Sequence, residues 1–379
     1  MAAMDGATAT AGPTAGEGAT SRAGAQGPGG RHRIAVVPGD GIGVEVVAAA
    51  RQVLAAVANR HGIRLDYTEY DWSCRRYLSQ GSMMPTDGLD RLRDADAILL
   101  GAVGWPGVPD HVSLWGLLIP IRRTFRQYVN LRPIRVFEGV PSPVRGARPG
   151  EVDLVVVREN VEGEYSEVGG RFGRGFPEEQ AVQEAIFTRS GVTRIVDYAF
   201  DLARTRRSYV TSATKSNGIV HTMPFWDEVV AERAAGHPDV RWDAEHIDAL
   251  AAKLVLEPER FDVIVGSNLF GDILSDLAAA VAGSIGIAPS ANLDPTGTFP
   301  SMFEPVHGSA PDIAGRGVAN PLGAVWSAAM MLDHLGHPAA ASQIVTAIEA
   351  SLLDPATRTR DLGGTADTRT VTDTLLTRL

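Results

Sequence analysis

The chain has 379 residues, 44% of them hydrophobic and 21% charged, with a formal net charge of −10. That length points to two domains or one enlarged α/β domain, and the composition excludes a fibrous, disordered or small disulfide-rich protein. The acidity disfavours nucleic acid as a partner. The lone cysteine, Cys74, excludes an intramolecular disulfide, and no apolar run nears the ~18 residues of a membrane helix, so a cytoplasmic protein is expected.

Residues 1–30 are rich in Ala, Gly, Thr and Ser and nearly free of large apolar side chains, which predicts a disordered tail. Ile34–Val37 then reads as a short buried strand, ending in Pro38-Gly39-Asp40-Gly41 before a helical pattern to about Asn59. Alternation at Leu65, Tyr67 and Glu69 suggests a partly exposed strand. Further buried strands are expected at Ala97–Gly101, Asp153–Val157, Tyr209–Ser212 and Asp262–Gly266. Helical periodicity covers Val192–Arg204, Pro224–Ala235, Gly271–Val281 and Leu322–Leu335, the last apolar enough for the core or a subunit contact. Strands alternating with helices imply an α/β architecture with a largely parallel sheet. Segment 139–150, rich in Pro and Gly, reads as a crossing or surface loop.

Gly39 to Gly43 stands where a dinucleotide fingerprint would stand, but the third glycine is missing. From Gly41 the pattern runs Gly-x-Gly-x-x-Val. No clear acidic residue ends a second strand at the usual distance either. The expectation is a glycine-rich turn and not a Rossmann fold.

Three stretches carry chemistry. In Asn268-Leu269-Phe270-Gly271-Asp272-Ile273-Leu274-Ser275-Asp276, two carboxylates lie four apart on one helix face. Like charges at that spacing repel. They suit either a divalent cation held by oxygen ligands, Mg²⁺ or Mn²⁺, or a favourable place near the helix N-terminus. Arg122, Arg132 (in Asn130-Leu131-Arg132-Pro133) and Arg158 form a second group. Arg158 ends a buried strand and needs an anionic partner, either a substrate carboxylate or an internal acid such as Glu159 or Glu162. Glu304-Pro305-Val306-His307-Gly308-Ser309-Ala310-Pro311-Asp312 is dense in Gly, Pro and Ser and reads as a loop whose amides face an anion or ribose. Only two of the 35 basic residues are lysines, Lys215 and Lys253. A lysine kept where arginine otherwise serves suggests proton transfer, which a guanidinium does not perform.

Taken in order, Val37 to Gly43, Asn130 to Pro133, Asn268 to Asp276, and Glu304 to Asp312 with Ala319-Asn320-Pro321 resemble the β-decarboxylating dehydrogenase family. Its members include isocitrate, 3-isopropylmalate, homoisocitrate and tartrate/D-malate dehydrogenases. The resemblance spans about residues 31–379. It implies a two-domain isopropylmalate-dehydrogenase-like fold with a large mixed, largely parallel sheet. Residues 31–127 plus 284–379 would form a cofactor domain and 128–283 a metal-binding and dimerisation domain. It implies NAD and Mn²⁺ or Mg²⁺ as cofactors. Arg122, Arg132 and Arg158 would clamp the substrate carboxylates, and Asp272 and Asp276, joined by Asp248 of a second chain, would hold the metal. Lys215 would be the general base and Tyr165, with an ordinary pKa near about 10, the general acid. The cofactor would lie along Glu304, His307, Gly308, Ser309, Ala310, Asp312 and Asn320. Asp312 before Ile313 is similar to NAD-preferring members, because a carboxylate accepts from both ribose hydroxyls and repels a 2′-phosphate. Lys215 and Asp248 are expected to reach the site from the partner chain of a homodimer. The C3 substituent of the substrate would meet Trp115 and Leu118. Asp110 to Gly116 and Thr214 to Gly218 resemble the tartrate/D-malate branch, so a C4 2-hydroxy diacid is expected. 3-Isopropylmalate is the alternative, and a non-catalytic regulatory homologue the remote one.

Overall fold

The computed structural model describes residues 30–144 and 147–379. The expected tail at 1–30 falls, but for Gly30, outside the described residues, as do positions 145 and 146 of the 139–150 segment. The rest of that segment is turns.

Ten strands make one sheet: β1 (Arg31–Gly39), β2 (Arg64–Glu69), β3 (Ala97–Ala102), β4 (Val129–Arg135), β5 (Asp153–Glu159), β8 (Tyr209–Thr214), β9 (Arg241–His246), β10 (Val263–Gly266), β11 (Pro289–Leu293) and β12 (Ser301–Pro305). Their order is β2-β1-β3-β12-β11-β4-β5-β10-β8-β9. The outer pairings are parallel. The three central ones, β12–β11, β11–β4 and β4–β5, are antiparallel. This is the large mixed sheet expected, and its order is not that of a Rossmann half. Two short strands, β6 (Gly169–Phe172) and β7 (Gln180–Gln183), form a separate exposed antiparallel ribbon.

Helices cover both faces, and inner parallel strands such as β3 (Ala97–Ala102) and β10 (Val263–Gly266) are accordingly apolar throughout. Helix Leu322–His334 belongs to the core: Trp326 packs edge-on to Phe137, and Met331 and Leu332 are fully buried. A second apolar cluster lies under β1 and β3, built on Trp72, Cys74, Met83, Leu117 and Phe125.

The glycine turn serves backbone packing. Gly39 and Gly41 take positive φ, and a Cβ on either would meet the Ala102 or Ser309 carbonyl oxygen at 2.0 and 1.9 Å. The main chain here is bonded through Asp40 N to Ala102 O (2.7 Å) and Ile42 N to Ser309 O (2.8 Å). β2 does end on an acid, Glu69, but that carboxylate is paired with Arg51.

One stretch differs from the sequence expectation. Glu304 and Pro305 are not loop but the end of β12, and the loop begins only after them. Residues 110–124 run as one continuous helical stretch whose middle, Leu114–Leu118, widens into a π-turn between helices Asp110–Ser113 and Ile119–Thr124.

Candidate active site

The sheet brings three distant arginines together. Arg132 on β4 and Arg158 on β5 lie on neighbouring antiparallel strands, and Arg122 sits on helix Ile119–Thr124. All three are buried, so each needs partners. Arg158 ion-pairs with Asp272 and donates to Asn268 Oδ1 from Nε (3.1 Å) and Nη2 (2.7 Å). Glu159 and Glu162, the internal partners considered above, hold it neither singly nor together. Arg132 reaches Asp272 (3.2 Å), Asp276 (3.0 Å) and the Ser275 hydroxyl (2.6 Å). Arg122 donates to Glu304 Oε1 at 2.8 Å, leaving its Nε buried and unpartnered.

Asp272 and Asp276 project from helix Asn268–Val281 toward these guanidinium groups. The helix starts here because Ser267 caps Phe270 N (3.4 Å) and Glu164 accepts from both Ser267 Oγ (2.7 Å) and Leu269 N (3.1 Å). Burial works to raise the Asp272 pKa, but Arg158 and Arg132 outweigh it and hold the carboxyl below its usual value. At Asp276 burial wins, and its pKa is raised despite Arg132. Tyr165 Oη donates to Asp272 Oδ2 at 3.1 Å. Burial and the Asp272 charge push its pKa above the ordinary tyrosine value, which corrects the expectation of an unperturbed phenol.

Six expected site residues thus meet in one chain: Arg122, Arg132, Arg158, Tyr165, Asp272 and Asp276. Lys215 and Asp248 instead meet each other, Nζ to Oδ1 at 2.6 Å, and this bond lowers the Asp248 pKa. Among the described residues, no three His, Cys, Asp or Glu side chains of one chain gather as metal ligands.

Glu304 faces Arg122 and Asn292, not the loop from His307 to Asp312. His307 Nδ1 bonds the Gly308 carbonyl (3.0 Å) while Nε2 is buried without a partner, and burial lowers the ring's pKa. A cleft of ≈ 240 Å³ brings His307 and Asn320 together with Ile42, Ile313, Arg316 and Arg360. Ser309 and Ala310 form the turn against the glycine loop, Ala310 at positive φ. Gly308 and Asp312 are exposed beside it. Trp115 and Leu118 lie in the π-turn. Leu118 packs on the second apolar cluster, whereas Trp115 lies beneath the Arg123 guanidinium, 4.9 Å from its ring centre.

Sequence reasoning missed the group that joins the arginines. Asn292, fully buried on β11, accepts from Asn130 Nδ2 (3.0 Å) and Asn160 Nδ2 (2.9 Å) and donates to Glu304 Oε1 (2.7 Å). Asn130 in turn holds Arg132 Nε (2.8 Å). One amide therefore fixes the partners of both Arg122 and Arg132.

The model of the isocitrate/isopropylmalate dehydrogenase family matches residues 33–375. The chain belongs to that family. Within it, the chain is 54% identical over 351 residues to the D-malate dehydrogenase [decarboxylating] of Escherichia coli K12, covering 90% of this chain and 97% of the relative. It is also 54% identical over 348 residues to the tartrate dehydrogenase/decarboxylase of Pseudomonas putida, covering 89% and 95%. Among solved structures it is similar to the isocitrate dehydrogenase of Methylococcus capsulatus, with a TM-score of 0.82 and 34% identity over 92% of this chain and 99% of that one. A β-decarboxylating dehydrogenase from Thermococcus kodakarensis matches with a TM-score of 0.73 and 38% identity, over 92% and 96%. Membership of this family and these relatives make the chain a decarboxylating dehydrogenase. Among the described residues, no helix is long and apolar enough to cross a membrane.

Proposed function

We propose that this enzyme oxidises a C4 2-hydroxy diacid, D-malate or a tartrate, with NAD, and that D-malate gives pyruvate and CO₂. The observation that carries the reading is the convergence of three buried arginines with Tyr165 on the Asp272–Asp276 face, in a chain whose relatives bear those activities in their names.

Both cofactors fit the residues present. The Asp272 and Asp276 carboxylates offer an all-oxygen donor set on one helix face, suited to Mn²⁺ or Mg²⁺, with Asp248 of a second copy as the third carboxylate. The His307–Asn320 cleft offers apolar walls at Ile42 and Ile313, the unpartnered His307 Nε2, and the exposed Asp312 for a ribose. When bound, the cation supplies Lewis acidity at the C2 oxygen and NAD is the hydride acceptor.

The chain's own residues do the rest. Arg122, Arg132 and Arg158 bind the two carboxylates bidentately, exchanging their present acid and amide partners for the substrate. Lys215 takes the C2 hydroxyl proton as C2–H leaves as hydride. The resulting 2-keto acid carries its second carboxylate β to the carbonyl, so the C3–CO₂ bond breaks into an enolate. Tyr165 protonates that enolate at C3, and its raised pKa keeps it protonated until then. Lys215 and Asp248 would enter from the partner of a homodimer. Exposed Ile219, Val220 and Leu256 near them, and the exposed β6–β7 ribbon with Phe172, support such pairing. The two domains would be the two halves of the sheet. The five strands β2, β1, β3, β12 and β11 come from 31–127 plus 284–379, and the other five from 128–283.

The test is NADH formation with Mn²⁺ on D-malate, L-tartrate, meso-tartrate and 3-isopropylmalate, with NADP as a control. The reading expects kcat/KM to be highest for D-malate or a tartrate with NAD. A preference for 3-isopropylmalate sinks the substrate assignment.

A further inference from the structure

Arg123 stands beside Arg122 on helix Ile119–Thr124, but the two side chains part. Successive helical residues point about 100° apart. Arg122 turns inward to Glu304, and Arg123 turns to the segment that carries Tyr165. Its Nη2 donates to the Tyr165 carbonyl oxygen at 2.7 Å, its Nη1 meets Glu167 Oε2 at 2.9 Å, and its plane covers the Trp115 ring. One guanidinium therefore touches both the proposed wall of the substrate pocket and the main chain of the proposed proton donor.

The π-turn makes this possible. In a regular helix a residue eight positions on is rotated about 80° past alignment, because eight steps of about 100° overshoot two turns. A π-turn holds roughly one extra residue, which absorbs that surplus and brings position 115 under position 123. Gly116, inside the turn, lets the segment lie on Met83, where a Cβ would meet Met83 Cγ at 2.8 Å.

We propose that Arg123 is a positioning residue that makes selectivity at C3 and proton delivery to C3 one event. A substituent large enough to displace Trp115 must disturb the guanidinium stacked on it, and with it the carbonyl that fixes Tyr165. Bulky substrates then lose turnover as well as binding. This rests on the reading of Trp115 as the pocket wall and Tyr165 as the acid.

The experiment compares wild type, Arg123→Ala, Arg123→Lys and Glu167→Gln for kcat and KM on D-malate and 3-isopropylmalate. It also measures the share of turnovers on D-malate that release oxaloacetate instead of pyruvate. Arg123→Ala should change the ratio of the two kcat/KM values by about tenfold, the order of one methylene's discrimination, and raise the oxaloacetate share. Arg123→Lys, which donates from a single nitrogen and has no plane to stack, should fall between. Glu167→Gln keeps the Tyr165 bond and should match wild type. An unchanged ratio and unchanged oxaloacetate share in Arg123→Ala overturn the proposal, as does a proportional loss on both substrates. If wild type prefers 3-isopropylmalate, the substrate reading fails, yet the same ratio still decides whether Arg123 acts as described.

Discussion

Glu159 follows Arg158 into the core and is fully buried. Its Oε1 accepts from Val161 N (3.0 Å) and Glu162 N (2.9 Å) and lies 3.4 Å from Arg194, while Oε2 has no partner. Burial pushes its pKa up to about 7, against the opposing charge of Arg194. A carboxyl raised in the folded state binds a proton there that the unfolded chain, with a pKa near about 4.3, has released. Its contribution to stability is therefore full below that unfolded value and is lost as pH rises through about 7. Glu159→Gln does not titrate. Any deficit in its melting temperature relative to wild type should shrink between pH 5 and pH 8, as followed by thermal denaturation. A deficit that stays level or grows contradicts the assignment. At this same scale the sequence was an uneven guide. Arg132 stood out beside Asn130 and Pro133, and Lys215 stood out by rarity. Asn292, in Ser290-Ala291-Asn292-Leu293, carries no local mark, because its meaning lies in partners 132 to 162 residues away and in Glu304 across the hairpin.

Helices with an apolar stripe, such as Arg189–Arg204, and the all-apolar strands β3 and β10 were legible because their burial is written in their sequence. β4, β11 and β12 were not. Their interior positions hold Asn130, Arg132, Ser290, Asn292 and Glu304, which satisfy one another across the central antiparallel pairings and so break the apolar run a strand is recognised by. The π-turn left no signal either, since its helical hydrophobicity is continuous with its neighbours. Helix Asn268–Val281 shows what close approach does for the site. A Cβ on Gly271 would lie 2.5 Å from Arg158 Cβ and 3.0 Å from its Cα. Gly271→Ala would gain helix propensity but must push the helix off β5, separating Asp272 from Arg158. We expect kcat/KM to fall at least about tenfold, with a stability change within the ~1–3 kcal/mol of overpacking. A variant that keeps full activity would show that the helix and β5 can part without harm to the site.

At the scale of the molecule, six of the expected site residues meet in one chain, while Lys215 pairs with Asp248. That Lys215 completes the site of a partner chain is the proposal made above, and only the family resemblance implied it. Mixing Lys215→Ala and Asp272→Ala chains tests it. Each heterodimer regains one intact site if Lys215 acts across the interface, so activity should return to roughly a quarter of wild type when random exchange makes half the dimers mixed, each with one of two sites. Activity that stays at zero after exchange is verified by mass would place Lys215 in its own chain's site.

The parallel pairing of β3 with β12 also sets a timetable. β3 ends at Ala102 and β12 begins at Ser301, so a nascent chain carries a fully apolar strand with one open edge for roughly two hundred residues. At elongation rates of about 5–20 residues/s that is on the order of 10–40 s. Throughout, the β3 edge is a template for the wrong strand, and Arg122, already synthesised, still lacks the Glu304 that neutralises it. Arg122 therefore gains its native carboxylate partner only once the chain has been made past residue 304.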